Sequence, residues 1–261
     1  MEEIKRISII GSGNVATLLS LALKEKGIQI HQVYSRTLAH ANLLADKLQA
    51  AAVNQIKYID DSADLYIFCL KDDAYSELLS EWTLKDKNMV HTSGSLSSSM
   101  FAAHSNSRGV FYPFQSFSID REIDFSEIPI FIDAESPELL SGLQKLGQKL
   151  ETKVVQFDHE QRKIYHLAAV FANNFVNRLY HIAQEICESE SLDFDLIRPL
   201  IKETSNKVMD ALPSDMQTGP AKRVDLELLN IHYSSLSGNL DKQKVYQILS
   251  ESIIKAQKAH D

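Results

Sequence analysis

Cysteine is almost absent: Cys69 and Cys187 are the only two in 261 residues. Two cysteines cannot staple a small secreted scaffold, and nothing requires an oxidising compartment. Cys69 falls in an apolar run and reads as a small core residue. No C-x-x-C or H-E-x-x-H spacing occurs, the nine histidines are scattered, and His159-Glu160 has no second histidine four residues on. No metal site is therefore expected. No stretch approaches the ~18 apolar residues of a membrane helix. The acidic start, Met1-Glu2-Glu3, is unlike a signal peptide. The expectation is a cytoplasmic protein with no membrane partner. Basic charge is in deficit, with 27 Lys and Arg against 35 Asp and Glu and a net charge of −8. That argues against a broad nucleic-acid-binding face. No G-x-S-x-G elbow surrounds Ser93 or Ser95, which argues against an acyl-transfer serine.

What is present is a regular alternation. Strand patterns cover 4–10, 28–34, 65–70, 88–91, 108–112, 128–132 and 153–157. Helical patterns cover 14–26, 38–48, 74–82 and 137–150. Gly27 closes the first helix, and Ser136-Pro137 open the last. Strand then helix, repeated, implies parallel βαβ units and a doubly wound α/β sheet. After Phe157 the period changes. Helical patterning runs over 159–190 with almost no Gly or Pro, then over 194–212, 226–236 and 241–259. The expected organisation is a Rossmann domain over 1–157 and an all-α domain over 158–261.

Gly11-Ser12-Gly13-Asn14-Val15-Ala16 leaves the first strand and opens the first helix, in the form G-x-G-x-x-A. Gly11 permits the tight turn, Gly13 lets a pyrophosphate approach the backbone, and Ala16 allows close helix–strand packing. The helix N-terminus offers free N–H groups to the phosphates. At the end of the second strand the chain reads Ser35-Arg36-Thr37, with no carboxylate for a ribose 2′-hydroxyl. Ser35 and Thr37 can donate hydrogen bonds, and Arg36 can pair with a 2′-phosphate. NADP is favoured over NAD on this ground.

Ligands of open α/β sheets lie outside the carboxyl ends of the strands. Leu70, Lys71 and Asp72, then Thr92, Ser93 and Gly94, occupy such loops and are candidate cofactor contacts. Pro113 and Gln115 follow the next strand and are candidate substrate contacts. His91 ends a buried strand, which suits a structural histidine better than a catalytic one.

These residues together resemble the superfamily of pyrroline-5-carboxylate reductase, 6-phosphogluconate dehydrogenase and the deazaflavin-dependent NADP reductases. Within it they are most similar to a bacterial group with a Rossmann-like domain and a C-terminal domain of unknown function, provisionally named NADP oxidoreductases. The resemblance is carried by the glycine loop with Ser35-Arg36-Thr37, and by His91-Thr92-Ser93-Gly94 with Tyr112-Pro113-Phe114-Gln115. Further on it is carried by Tyr165-His166 through Asn173-Asn174, by Pro199-Leu200-Ile201, and by the segment from Thr218 to Asp225. It implies a homodimer through the C-terminal helices. One departure stands out: the β-hydroxyacid dehydrogenase branch has K-x-x-N-N, and here Val170 occupies the lysine position.

His166 precedes Asn173 by seven residues, two α-helical turns along one face. His166 can act as general acid or base, with Asn173 and Asn174 orienting substrate or nicotinamide. A buried structural histidine and interhelical asparagine bonds are the alternatives. Arg223 can clamp a substrate carboxylate or phosphate, or pair with Asp225. The expected activity is NADP-dependent hydride transfer to or from a small carbonyl, imine or hydroxyl compound at the domain interface. The alternative is an NADP-binding regulatory or redox-sensing protein without turnover.

Overall fold

The structure is a computed structural model, and it describes residues 3–258. The chain divides into two compact units, residues 1–173 and 174–261. The first unit thus continues past Phe157 and retains the first helix after the sheet.

The first unit is built on an eight-stranded sheet of order β3-β2-β1-β4-β5-β6-β7-β8. β1 (Arg6–Ile10), β2 (Gln29–Tyr34), β3 (Ala51–Val53), β4 (Leu65–Phe68), β5 (Met89–His91) and β6 (Arg108–Pro113) are mutually parallel. β1 and β4 are interior strands, and Ile7, Ile9, Leu65 and Ile67 are wholly buried there. Buried on both faces, such strands read as continuous apolar runs. β3 has no such run, only Ala-Ala-Val, and sequence patterning misses it.

The parallel βαβ order ends at β6. β7 (Ile130–Ala134) runs antiparallel to β6, and β8 (Val154–Gln156) is parallel to β7. The connection between β6 and β7 contains only a short 3₁₀ turn at Phe125–Glu127. Without a crossover helix to carry the chain back, the next strand enters from the near end and reverses direction.

α1 (Asn14–Glu25), α2 (Leu38–Leu48) and α4 (Pro137–Lys149) cover one face of the sheet. α3 (Tyr75–Glu81) and a second cluster centred on Tyr66, Phe68, Trp82 and Phe101 cover the other. Gly27 takes φ +81° after α1, and the Ser136 hydroxyl accepts the N–H of Leu139, both as their positions demand.

α5 (His159–Ala169) opens with a capping box: the Asp158 carboxylate accepts from Gln161 N at 2.8 Å, and Gln161 Oε1 accepts from Asp158 N at 3.1 Å. Tyr165 stacks on Phe157 at 4.8 Å and meets Phe131 at 5.4 Å edge-on, which seats α5 on the antiparallel end of the sheet.

The expected helix over 159–190 is not one α-helix. Val170–Phe175 is π-helical, and α6 (Val176–Ser189) follows. The second unit continues with α7 (Arg198–Asp210), α8 (Pro213–Met216), α9 (Leu226–Ser235) and α10 (Leu240–Lys258). The expected extension of the last helix to residue 259 lies outside the described residues.

Candidate cofactor and active site

The strands β1 to β6 all end at one edge, and the candidate residues from Gly11 to Gln115 gather on the loops there. Gly11 leaves β1 with φ +127°, and its N–H donates to Tyr34 O at 2.8 Å. A Cβ there would stand 2.2 Å from the Cys69 carbonyl oxygen, so only glycine lets the β1 and β4 loops approach this closely. Gly13 is the N-cap of α1 and brings no capping side chain. A Cβ at Gly13 would meet nothing within 4 Å, so open space lies above the helix terminus. An uncapped N-terminus facing open space fits the phosphates of a dinucleotide.

Ser12 Oγ donates to Ser35 Oγ at 2.9 Å and ties the glycine loop to the end of β2. Arg36 is exposed and lies 3.6 Å from Glu77. Thr37 stands at the N-cap of α2 without a side-chain capping bond. These residues and the absence of a carboxylate at 35–37 fit a 2′-phosphate. Asn14 donates instead within the protein, from Nδ2 to Phe117 O at 2.8 Å. Val15 is half-buried, and Ala16 is buried where α1 crosses the sheet.

The β4 and β5 loops are joined: Ser95 Oγ donates to Asp72 Oδ2, with Leu70 and Lys71 leading into that turn. Thr92 N donates to Phe68 O at 3.1 Å. Ser93 Oγ accepts from Ser95 N at 3.1 Å and Leu96 N at 3.2 Å, which closes a compact turn around Gly94. His91 is wholly buried. Its Nδ1 accepts from Ser93 N at 3.1 Å, and burial with the nearby Arg162 charge pushes it down to about 3. Its burial and its bond to Ser93 fit the structural reading, while its buried Nε2 has no hydrogen-bond partner among the described residues. Burial pushes the Cys69 thiol up to about 12, so it carries no thiolate chemistry.

Two polar rings lie over this turn. His166, on α5, places Nδ1 3.3 Å from Tyr112 Oη at the end of β6. The two rings stand edge-on at 6.4 Å, and Gly94 lies directly against both. Burial raises the Tyr112 phenol, opposed by Arg162 and aided by Asp72. Sequence reasoning gave His166 but not its partner. Pro113 is buried, whereas Gln115 is exposed and turned back on Ser116 N at 2.9 Å.

Asn173 and Asn174 are exposed and lie within the π-helical segment, Asn173 at the end of the first unit and Asn174 at the start of the second. The expected shared face with His166 assumed α-helical spacing, which the π turns replace. In the second unit Arg223 is exposed, and the Asp225 carboxylate caps α9 through Leu228 N at 3.1 Å.

Arg162 was not foreseen at all. It is wholly buried on α5, donates from Nη2 to Leu96 O at 2.6 Å, and stands 4.0 Å from Asp133. In the sequence it is one charge in His-Glu-Gln-Arg-Lys, where nothing distinguishes a buried arginine from a solvated one. Among the described residues no group of three or more His, Cys, Asp or Glu side chains could hold a metal ion.

A family model described as NADP oxidoreductase, coenzyme F420-dependent, matches residues 6–94, and a domain of unknown function, DUF2520, matches residues 128–253. The chain is 43% identical to a crystal structure from Bacteroides fragilis that is provisionally named an NADP oxidoreductase. The match covers 97% of this chain and 99% of that one, with a TM-score of 0.91. The chain belongs to this NADP oxidoreductase family. Both the family description and the name of the Bacteroides fragilis structure give NADP as the cofactor. A Thermotoga maritima protein shares the fold at 22% identity and TM-score 0.74, over 97% of this chain and 99% of that one. The Aspergillus terreus reductive aminase in complex with NADPH4, cyclohexanone and allyl amine shares it at 17% identity and TM-score 0.71, over 98% and 94%. No curated protein matches the sequence.

Proposed function

We propose that this NADP oxidoreductase reduces a small imine or carbonyl compound, with Tyr112 and His166 delivering the proton. The observation that carries the reading is the 3.3 Å contact between Tyr112 Oη and His166 Nδ1 at the carboxyl edge of the parallel strands. NADPH, when bound, supplies a hydride to the acceptor carbon. The nitrogen or oxygen of the acceptor then needs a proton. Burial keeps the Tyr112 phenol protonated at neutral pH, and His166 stands behind it to return the proton. A proton donor pair of this kind does not need the lysine that Val170 replaces. The cradle is assigned to Gly11, Ser12, Gly13, Val15 and Ala16, the 2′-phosphate contacts to Ser35, Arg36 and Thr37, and the remaining ribose and nicotinamide contacts to the 70–72 and 92–94 loops. The ligands of the Aspergillus fold relative make ketones and amines the first compounds to try. The helical unit is assigned a second role, covering itself with a second copy of the chain.

The test is NADPH oxidation across a panel of imines and carbonyls, followed by the variants Tyr112→Phe and His166→Ala on the best substrate. Each should lose about 10²- to 10⁴-fold in kcat, the contribution of a positioned acid, with NADPH affinity preserved. Full activity in both would remove the pair from the reaction. Tight NADPH binding with no turnover on any compound would favour a redox-sensing protein instead.

A further inference from the structure

We infer that Arg162 and Gly94 are positioning residues: α5 clamps the turn after β5, and that clamp sets the Tyr112–His166 pair. The inference rests on the reductase reading of that pair. Arg162 and His166 are four residues apart on α5 and so share a face. Arg162 Nη2 holds Leu96 O at 2.6 Å, a contact between residues 66 apart in sequence, and lies 3.2 Å from His159 Nδ1. His166 lies against Gly94 in the same turn.

The energetics do not suit a residue kept for stability. The guanidinium is wholly buried, and Nε and Nη1 have no hydrogen-bond partner among the described residues. Its nearest carboxylate, Asp133, is 4.0 Å away, and burial shifts both groups toward their neutral forms, Asp133 up and Arg162 down. Burial therefore outweighs pairing at both ends. Replacing such a pair as a whole by apolar side chains is often neutral or stabilising, so the pair is weak evidence for a role in stability. What only a donor can do here is fix the Leu96 carbonyl.

That carbonyl belongs to a rigid piece. Ser93 Oγ accepts from both Ser95 N and Leu96 N, so Leu96 cannot move without Gly94. Gly94 in turn has no room to spare: a Cβ would lie 2.6 Å from His166 Nδ1 and 3.0 Å from Tyr112 Cζ. A shift at Leu96 is therefore passed to the two rings.

The experiment uses the full chain and three variants, Arg162→Met, Arg162→Lys and Gly94→Ala. Arg162→Met should fold, hold NADPH within about twofold of the native affinity, and lose about 10- to 100-fold in kcat, as expected for misplacement on the ångström scale. Arg162→Lys should recover part of that loss. Gly94→Ala should lower kcat similarly, and adding His166→Ala should restore its melting temperature, because the two changes share one contact. The side-chain NMR signals of His166 and Tyr112, which need no substrate, should move in Arg162→Met and Gly94→Ala. Native signals in both variants, or native kcat in both, would overturn the clamp. If Arg162→Met does not fold, Gly94→Ala decides by the same two readouts. A native protein without turnover would count against the reductase reading, and the NMR signals would still decide the clamp.

Discussion

At Gly11 an added methyl would stand 2.2 Å from the Cys69 carbonyl oxygen, and φ is already +127°; at Gly13 the same methyl would meet nothing within 4 Å. The two glycines of one loop should therefore fail in different ways. Gly11→Ala forces the backbone apart in a region that costs a non-glycine residue about 1–3 kcal/mol before any clash. It should lower the urea midpoint visibly. Gly13→Ala has φ −78° and ψ −172°, which alanine adopts freely, so its stability should stay near native. Its methyl occupies the space a phosphate needs, and NADPH affinity should drop about tenfold, or roughly 1.4 kcal/mol. Fluorescence titration showing native affinity in a folded Gly13→Ala would refute the phosphate cradle. His91 makes a separate prediction. Burial first, then the charges of Arg162 and His159, push it from 6.5 to about 3. The unfolded chain takes up the proton first as pH falls, so this contribution is complete above about pH 6.5 and is lost between there and about pH 3. Its slope is at most about 1.4 kcal/mol per pH unit. His91→Gln should flatten the fall in stability over that window; an unchanged acid limb would contradict the assignment.

Elements were legible where one interaction dominates. The strands from β1 to β6 that carry runs such as Arg6–Ile10 and Leu65–Phe68 announce themselves, because both faces are buried. So does α1, with glycines on each side. The strand β3 does not, since three short residues gain their strand conformation only by pairing with β2. The direction of β7 is likewise a matter of how the chain returns to the sheet, which local pattern does not encode. The π-helical Val170–Phe175 was hidden in an apparently smooth helical period, and it displaces the asparagines from the register assumed for them. The same limit applies to the site. The glycine loop and Ser35-Arg36-Thr37 are contiguous and could be read directly. The Tyr112–His166 pair joins residues 54 apart, and Arg162–Leu96 joins residues 66 apart. Long-range pairs of this kind exist only once α5 has docked on β7 and β8 through Tyr165, Phe131 and Phe157.

At the scale of the whole molecule, the two units have very different interiors. The buried clusters of the first unit join residues from Ile4 to Leu150. In the second unit α7, α8 and α10 bury no residue, α6 buries Cys187 and α9 buries Leu229. Leu196, Leu200, Met209, Leu212, Leu240 and Ile248 are each between 65% and 81% exposed. Covering one such side chain is worth roughly 1.5–3 kcal/mol, so leaving six bare forgoes most of what holds a small helical unit together. Exposed apolar side chains that gather into a large patch mark an interaction surface. A second copy of the chain supplies an apolar surface of the same kind, and closed twofold pairing is the commonest way to use it. Sedimentation at micromolar concentration should therefore give a dimer. A pairing that covers these side chains stabilises the associated form, so dilution should lower the melting temperature. Leu200→Glu should shift the distribution toward monomer and lower helical ellipticity in parallel, while the glycine-loop unit keeps its NADPH affinity. A monomer whose melting temperature is independent of concentration would refute self-association and leave those leucines for another partner.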